Sequence, residues 1–329
     1  MKNPNTHKNA NARALKKVNG TLTHNRKTST LKTANLNVPH LKSDARTMLY
    51  GNQDEVAQLI GRIEFKDQWI HVVKGSTWYQ WTGTYWHQDL KAGGFDTIRK
   101  GIRTAIKRMN SWVKQMLRNG GLSNKDQEEL ESDARKADFA KRAKHYISDI
   151  YALVSKDDDY TIAPGAFDAD PNHLGTPEGT VDLTIPDFIS ADPCHYISRQ
   201  TICAPAKGEP DRWLQFLDEI FAGDQGVIDF IQRLCGYALT GQTREEKLFF
   251  LYGSGANGKS KFLETLTYIW NNYATRIAPT TLLNKRFSDH STEIAKLAGA
   301  RLVLGSELPT GEIWDDQKLK ELTGGDTLT

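Results

Sequence analysis

Cysteine is scarce in this chain, with three in 329 residues: Cys194, Cys203 and Cys235. None forms a C-x-x-C pair, and the one histidine beside a cysteine is His195. That spacing offers neither a disulfide framework nor a zinc-ligand pattern, and it suits buried or incidental thiols in a reducing cytoplasm. Long apolar runs are also missing. No stretch reaches the roughly 18 residues that a membrane-spanning helix needs, and the N-terminus has no apolar signal-peptide core. Its Asn and Lys richness, without an apolar helical face, argues against a transit peptide too. Acids are nearly absent from residues 1–47, which hold ten Lys or Arg against Asp44 alone, a net +9. The whole chain is +3, so the remainder carries about −6. A basic arm on a mildly acidic body points to an anionic partner, nucleic acid first. A solvated tail is the alternative for the arm taken alone.

What is present is enough apolar residue, 38% of the chain, to bury a core over most of a length that suits two or three domains. Residues 1–45 are rich in Asn, Lys and Thr without hydrophobic period and read as a disordered arm. Residues 46–92 place Trp69, Trp78, Trp81 and Trp86 among turn residues, and 77–86 has the pattern of a tight hairpin. Its aromatics are expected to be the core of a small sheet, with a stacking platform for single-stranded bases as the alternative.

Further on, Phe95, Ile98, Ile102 and Ile106 recur at helical spacing with Lys and Arg on the other side. Gly120-Gly121 breaks that pattern, and a second helical stretch is expected over 125–153. Six prolines between 164 and 205 mark short strands and turns. Two apolar faces over 209–240 predict a helical hairpin. The domain boundaries that follow are 1–45 for the arm, 46–206 for a mixed α+β region, 207–241 for a helical linker or hairpin, and 242–329 for an α/β domain.

The chemistry lies in that last segment. Leu248-Phe249-Phe250-Leu251-Tyr252 is the short continuous apolar run of a buried parallel strand. Gly253-Ser254-Gly255-Ala256-Asn257-Gly258-Lys259-Ser260 follows at once and satisfies G-x-x-x-x-G-K-S. Phe262, Leu263, Leu266 and Ile269 then share one helical face. Strand, glycine loop and helix are the order a triphosphate cradle needs, because backbone N–H groups at a helix start surround the anion. The glycines let the backbone bend and approach. Lys259 supplies a mobile charge to the β- and γ-phosphates of ATP, and Ser260 a hydroxyl oxygen to Mg²⁺. An acid at the end of a second core strand completes such a site. The apolar run Leu302-Val303-Leu304 leads to Glu307, which is the candidate for metal binding or water polarisation.

Together these pieces resemble a superfamily 3 helicase of the phage and plasmid primase–helicase type, related to poxvirus replicative helicases. The resemblance rests on residues 249–260, on the stretch from Ser291 to Val303, on Leu322-Thr323-Gly324-Gly325-Asp326, and upstream on residues 179–183 and 236–241. It implies an AAA+-like P-loop ATPase core with a parallel sheet, preceded by a helicase-associated α+β domain. It also implies a ring, hexameric in this family, that moves along single-stranded or forked DNA in the host bacterial cytoplasm, with no membrane partner. Lys318 and Lys320 fall before the Gly-Gly-Asp segment, in a region that leads toward a DNA-contacting loop. DNA contact and a solvated helix face both stay open for them.

The family pattern continues with another core strand, a polar sensor residue and an arginine for the neighbouring subunit's ATP. The expectation is therefore a helicase lacking its C-terminal third, served by a separately encoded primase. Its alternative is a nucleotide- and DNA-binding protein without turnover. A small-molecule kinase fits less well, since no arginine-rich lid follows Gly258.

Overall fold

A computed structural model describes residues 41–185, 187–253, 255–283, 296–305 and 313–324. The expected basic arm (to residue 40), Ser254, Glu307, Gly325 and Asp326 lie outside the described residues.

The described chain begins with two helices, α1 (Leu41–Tyr50) and α2 (Gln53–Glu64). The tryptophan-and-turn pattern gave no sign of either. Asn52 starts α2: its side chain accepts from the Glu55 N–H while Glu55 returns the bond to the Asn52 N–H, both at 2.9 Å. Strands β1 (Trp69–Val72), β2 (Thr77–Trp81) and β3 (Trp86–Gln88) form an antiparallel meander. The β2–β3 hairpin expected over 77–86 is present, closed by the Thr82 N–H on the Tyr85 carbonyl at 2.9 Å. A two-residue strand, β4 (Thr161–Ile162), adds parallel to β1 and gives the order β3-β2-β1-β4.

Trp69, Trp78 and Trp86 are buried and Trp81 is half-buried, so the sheet uses three of its four tryptophans as core. Phe65 meets Trp78 edge-on at 5.0 Å, a favoured arrangement for aromatic pairs.

The longest helix, α3 (Gly93–Asn119), lays Ile98, Ile102, Ile106 and Met109 into that core, fully buried. It stops where expected, because Gly120 and Gly121 both take positive φ, which continues no right-handed helix. The single helix expected over 125–153 is two, α4 (Asn124–Lys141) and α5 (Lys144–Val154). Ala143 is extended between them, which turns the chain so that Ile147, Ile150 and Val154 reach the same core.

Lys141, at the end of α4, is drawn inside with them. Its Nζ donates to the Gly51 carbonyl at 3.1 Å and the Tyr146 hydroxyl at 3.0 Å. Three more strands, β5 (His173–Thr176), β6 (Gly179–Asp182) and β7 (Asp187–Ile189), form a separate antiparallel meander. The expected helical hairpin is α6 (Asp211–Phe221) and α7 (Gln225–Leu239).

The last part holds α8 (Lys259–Trp270), β8 (Ala274–Ile277), β9 (Leu302–Gly305) and α9 (Asp316–Thr323). β8 and β9 pair in parallel, and among the described residues this is a two-stranded sheet. The buried strand expected over 248–253 is not formed. Those residues have no regular secondary structure, and Phe250 and Tyr252 are 66% and 92% exposed. A strand obtains its backbone hydrogen bonds from neighbours, and β8 and β9 bond to each other rather than to this run. Ile269, placed on the apolar face of α8 by its spacing, is also exposed, and Trp270 is buried in its stead.

Burial brings the Lys141 ammonium down to about 8, with Glu55 opposing the shift. Between pH about 8 and 10, the folded chain has released this proton while the unfolded chain still holds it, so the unfolding free energy rises with pH. The urea midpoint is expected to climb across that interval in the native protein and to lose this climb in Lys141→Met. Above that interval Tyr146, pushed up to about 12 by burial, turns the slope the other way.

Candidate functional site

The glycine loop ends on the N-cap of α8. Gly258 is that cap, with φ of 82°, and Gly255 takes φ of 93°. Only glycine adopts such angles without strain, so the motif's glycines serve the turn itself. Gly258 has a second constraint. A Cβ there would lie 2.4 Å from Ile220 Cγ2, because the loop rests on Phe216 and Ile220 of α6. The helix behind the loop is anchored by Phe262 and Leu266, buried with Leu217 and Ile231. Trp213 stacks on Phe262 at 5.7 Å with 16° between the rings.

The Lys259 side chain folds back over the loop. Its Nζ donates to Asn257 Oδ1 at 2.8 Å and, at a long 3.4 Å, to the Gly253 carbonyl. Gly253 has no room for a side chain for that reason: a Cβ there would collide with Asn257 Nδ2 and lie 3.3 Å from Lys259 Nζ. Ser260 is exposed in the first turn of α8. The loop thus combines an ammonium group, a half-buried amide side chain and the positive end of a twelve-residue helix. This arrangement is suited chemically to an anion with several oxygens. Among the described residues no group of three or more metal-ligating His, Cys, Asp or Glu side chains occurs.

The structure brings Gly253, Gly255, Ala256, Asn257, Gly258, Lys259 and Ser260 together. Among the described residues no hydrogen bond or ion pair joins Lys318 or Lys320 to them. These two lie on α9, Lys318 half-buried and Lys320 exposed, and the Lys318 N–H is capped by Asp315 at 3.0 Å. α9 instead faces the exposed run. Phe250 meets Trp314, just before α9, edge-on at 5.6 Å, and a cavity of about 730 Å³ is lined by Leu248, Leu251, Leu266, Leu302, Leu319 and Leu322 among others.

Two residues with a hand in the site carried no sequence signal: Ile220 and Phe216 read only as one apolar face of a hairpin. A further support is polar. Arg301, just before β9, lies over the Tyr273 ring at 4.7 Å and donates to the Leu239 and His173 carbonyls. Burial lowers its pKa, opposed by Tyr273, Asp168 and Asp170.

The fold is therefore an α+β region of helices and small sheets, followed by a glycine loop capping a helix beside a short parallel sheet. Residues 58–222, half of the chain, match the family described as D5 N terminal like. The chain belongs to this family. A protein of Acanthamoeba polyphaga mimivirus named "Putative helicase L207/L206" is 34% identical over 108 residues, 32% of this chain. The match spans 11% of the mimivirus protein's own length. Among the described residues no helix is long and apolar enough to cross a membrane.

Gly258→Ala is expected to destabilise the protein by at least the ~1–2 kcal/mol of a left-handed non-glycine residue, read as a lower urea midpoint. Adding Ile220→Ala removes the overlapping methyl, so the two changes are expected to cost less than their separate effects combined. Strict additivity would show that Gly258 does not rest on Ile220.

Proposed function

We propose that this protein is an ATP-dependent DNA helicase of superfamily 3, acting in phage, viral or plasmid replication. The observation that carries the reading is the loop of residues 253–260, which caps α8 with the Lys259 ammonium folded over it. Its setting adds support, since the chain belongs to the D5 N-terminal-like family and resembles in part a viral protein named as a helicase. In this reading the backbone N–H groups at the start of α8 and Lys259 hold the β- and γ-phosphates of ATP. Lys259 exchanges its present acceptor, Asn257 Oδ1, for phosphate oxygens. Ser260 supplies a hydroxyl to Mg²⁺, and Glu307 polarises water or holds the metal. The bound metal neutralises charge developing on the transferred phosphoryl group. Lys318 and Lys320 face single-stranded DNA in the channel of a homo-oligomeric ring, hexameric by family resemblance.

A second reading is a protein that binds nucleotide and DNA without turnover. It is favoured by the exposed, unpaired state of residues 248–252 directly before the loop. In catalytic phosphate loops the preceding strand is the rigid part that holds the loop in place.

Calorimetric titration with ATP and Mg²⁺ tests the shared step. Binding is expected in the native protein and at least a tenfold loss in Lys259→Ala. No binding at millimolar ATP would overturn both readings. Phosphate release with and without oligo(dT) then separates them: DNA-stimulated hydrolysis supports the helicase, and binding without release the second reading.

A further inference from the structure

Helix α3 carries Arg99, Lys100, Arg103, Lys107, Arg108, Lys114 and Arg118 against one acid, Asp96. At 3.6 residues per turn, Lys100, Arg103, Lys107, Lys114 and Arg118 fall within an arc of about 60°. All five are exposed. The opposite arc holds Ile98, Ile102, Ala105, Ile106, Met109 and Val113, all buried. The core therefore fixes the rotation of the helix, and the rotation presents the cations as one straight row. From Lys100 to Arg118 the row is about 27 Å long at 1.5 Å rise per residue.

Lys100 pairs with Asp96 at 2.7 Å. For Arg103, Lys107, Lys114 and Arg118, no carboxylate among the described residues comes within ion-pair distance. Acids are close in the chain. α4 packs on α3 and holds six, with four cations. Four of the six are engaged elsewhere: Asp126 accepts from Ser123, Asp138 accepts from Asn110 and pairs with Arg142, Glu131 pairs with Arg135, and Asp133 with Lys136.

Arg103 with Lys107, and Lys114 with Arg118, are like charges four residues apart. Each such pair destabilises an isolated helix by about 0.2–0.5 kcal/mol. A surface serving solubility alone mixes its signs. This one concentrates six net positive charges on one helix while the chain as a whole is only +3. An extended single-sign row of that kind complements a linear polyanion.

We infer that the exposed face of α3 is a binding surface for the phosphodiester backbone of DNA, independent of the glycine loop. The apolar side of the helix is committed to the core, which removes the buried face that a membrane-lying helix requires. Lys and Arg without interleaved aromatics on this face hold phosphates rather than bases, so the surface is indifferent to sequence.

The test is fluorescence anisotropy of a labelled 30-nucleotide oligo(dT), without nucleotide, between 50 and 200 mM salt. Removing one phosphate contact lowers the slope of log affinity against log salt by about 0.7 on a single strand and about 0.9 on a duplex. The triple variant Arg103→Gln, Lys107→Gln, Lys114→Gln is expected to lose about 2 from the slope. Lys74→Gln, an exposed lysine elsewhere, is expected to leave it unchanged. Arg103→Lys with Lys107→Arg and Lys114→Arg keeps the charge and is expected to keep the slope. A 30-base-pair duplex run in parallel identifies which form of backbone is held, and a reduced slope on either supports the surface.

A triple glutamine variant with the native slope on both forms would overturn the inference, as would native protein that binds neither. So would poly-glutamate displacing the oligonucleotide at equal charge concentration, which would assign the face to acidic protein. Lys259→Ala is expected to bind oligo(dT) as the native protein does, so failure of the nucleotide site and failure of this surface give different results.

Discussion

The buried Tyr273 hydroxyl is the contact on which the later half of the structure depends. It accepts the Gly175 N–H at 2.9 Å and donates to the Arg199 carbonyl at 3.1 Å. Its ring carries the Arg301 guanidinium, which reaches the carbonyls of His173 and Leu239. Together these two side chains tie β5, the end of α7 and the start of β9 to the segment that follows α8. Each bond adds only about 0.5–1.5 kcal/mol net, but a buried partner left unsatisfied costs about 1–3 kcal/mol. The node therefore acts more strongly against wrong arrangements than for the right one. Burial keeps the Tyr273 phenol neutral, pushed up to about 12, so it can both give and receive.

The two ends of this chain are held by different means. The region of α1 to α5 shares one large apolar cluster of buried aromatic and aliphatic side chains. The glycine loop rests on a small one, Leu217, Ile231, Phe262 and Leu266, ringed by half-buried neighbours. Few buried contacts and many exposed apolar side chains mark the low end of local stability, and phosphate-binding loops are often drawn from such regions. Lys259 in this setting has a ready acceptor in Asn257 and can leave it without breaking the core.

Much of this was legible from residue order. The glycine loop, the helix after it, the hairpin of α6 and α7, the end of α3 and the strand at β9 follow from local rules. So does the packing role of Trp69 and Trp78, since aromatics on short strands usually face a core. Helices α1 and α2 were hidden behind the aromatic pattern that follows them. The break between α4 and α5 has no glycine or proline to announce it; the backbone turns extended at Ala143, beside Lys141 bonded inward to Gly51 and Tyr146.

The sequence by itself determined what the backbone can do locally. A helix satisfies its hydrogen bonds within a few residues, and positive φ at Gly255 and Gly258 is available to glycine at no cost. Tertiary structure alone decided what depends on distant partners. Residues 248–252 have the composition of a strand and remain unpaired, because a strand is made by its neighbours and β8 bonds to β9. Lys259 meets Asn257, Gly258 meets Ile220, and the cations of α3 form an outward row because the opposite face is buried. Belonging to the D5 N-terminal-like family accounts for residues 58–222. The glycine loop that the sequence displays most plainly is set in place by packing that no local pattern records.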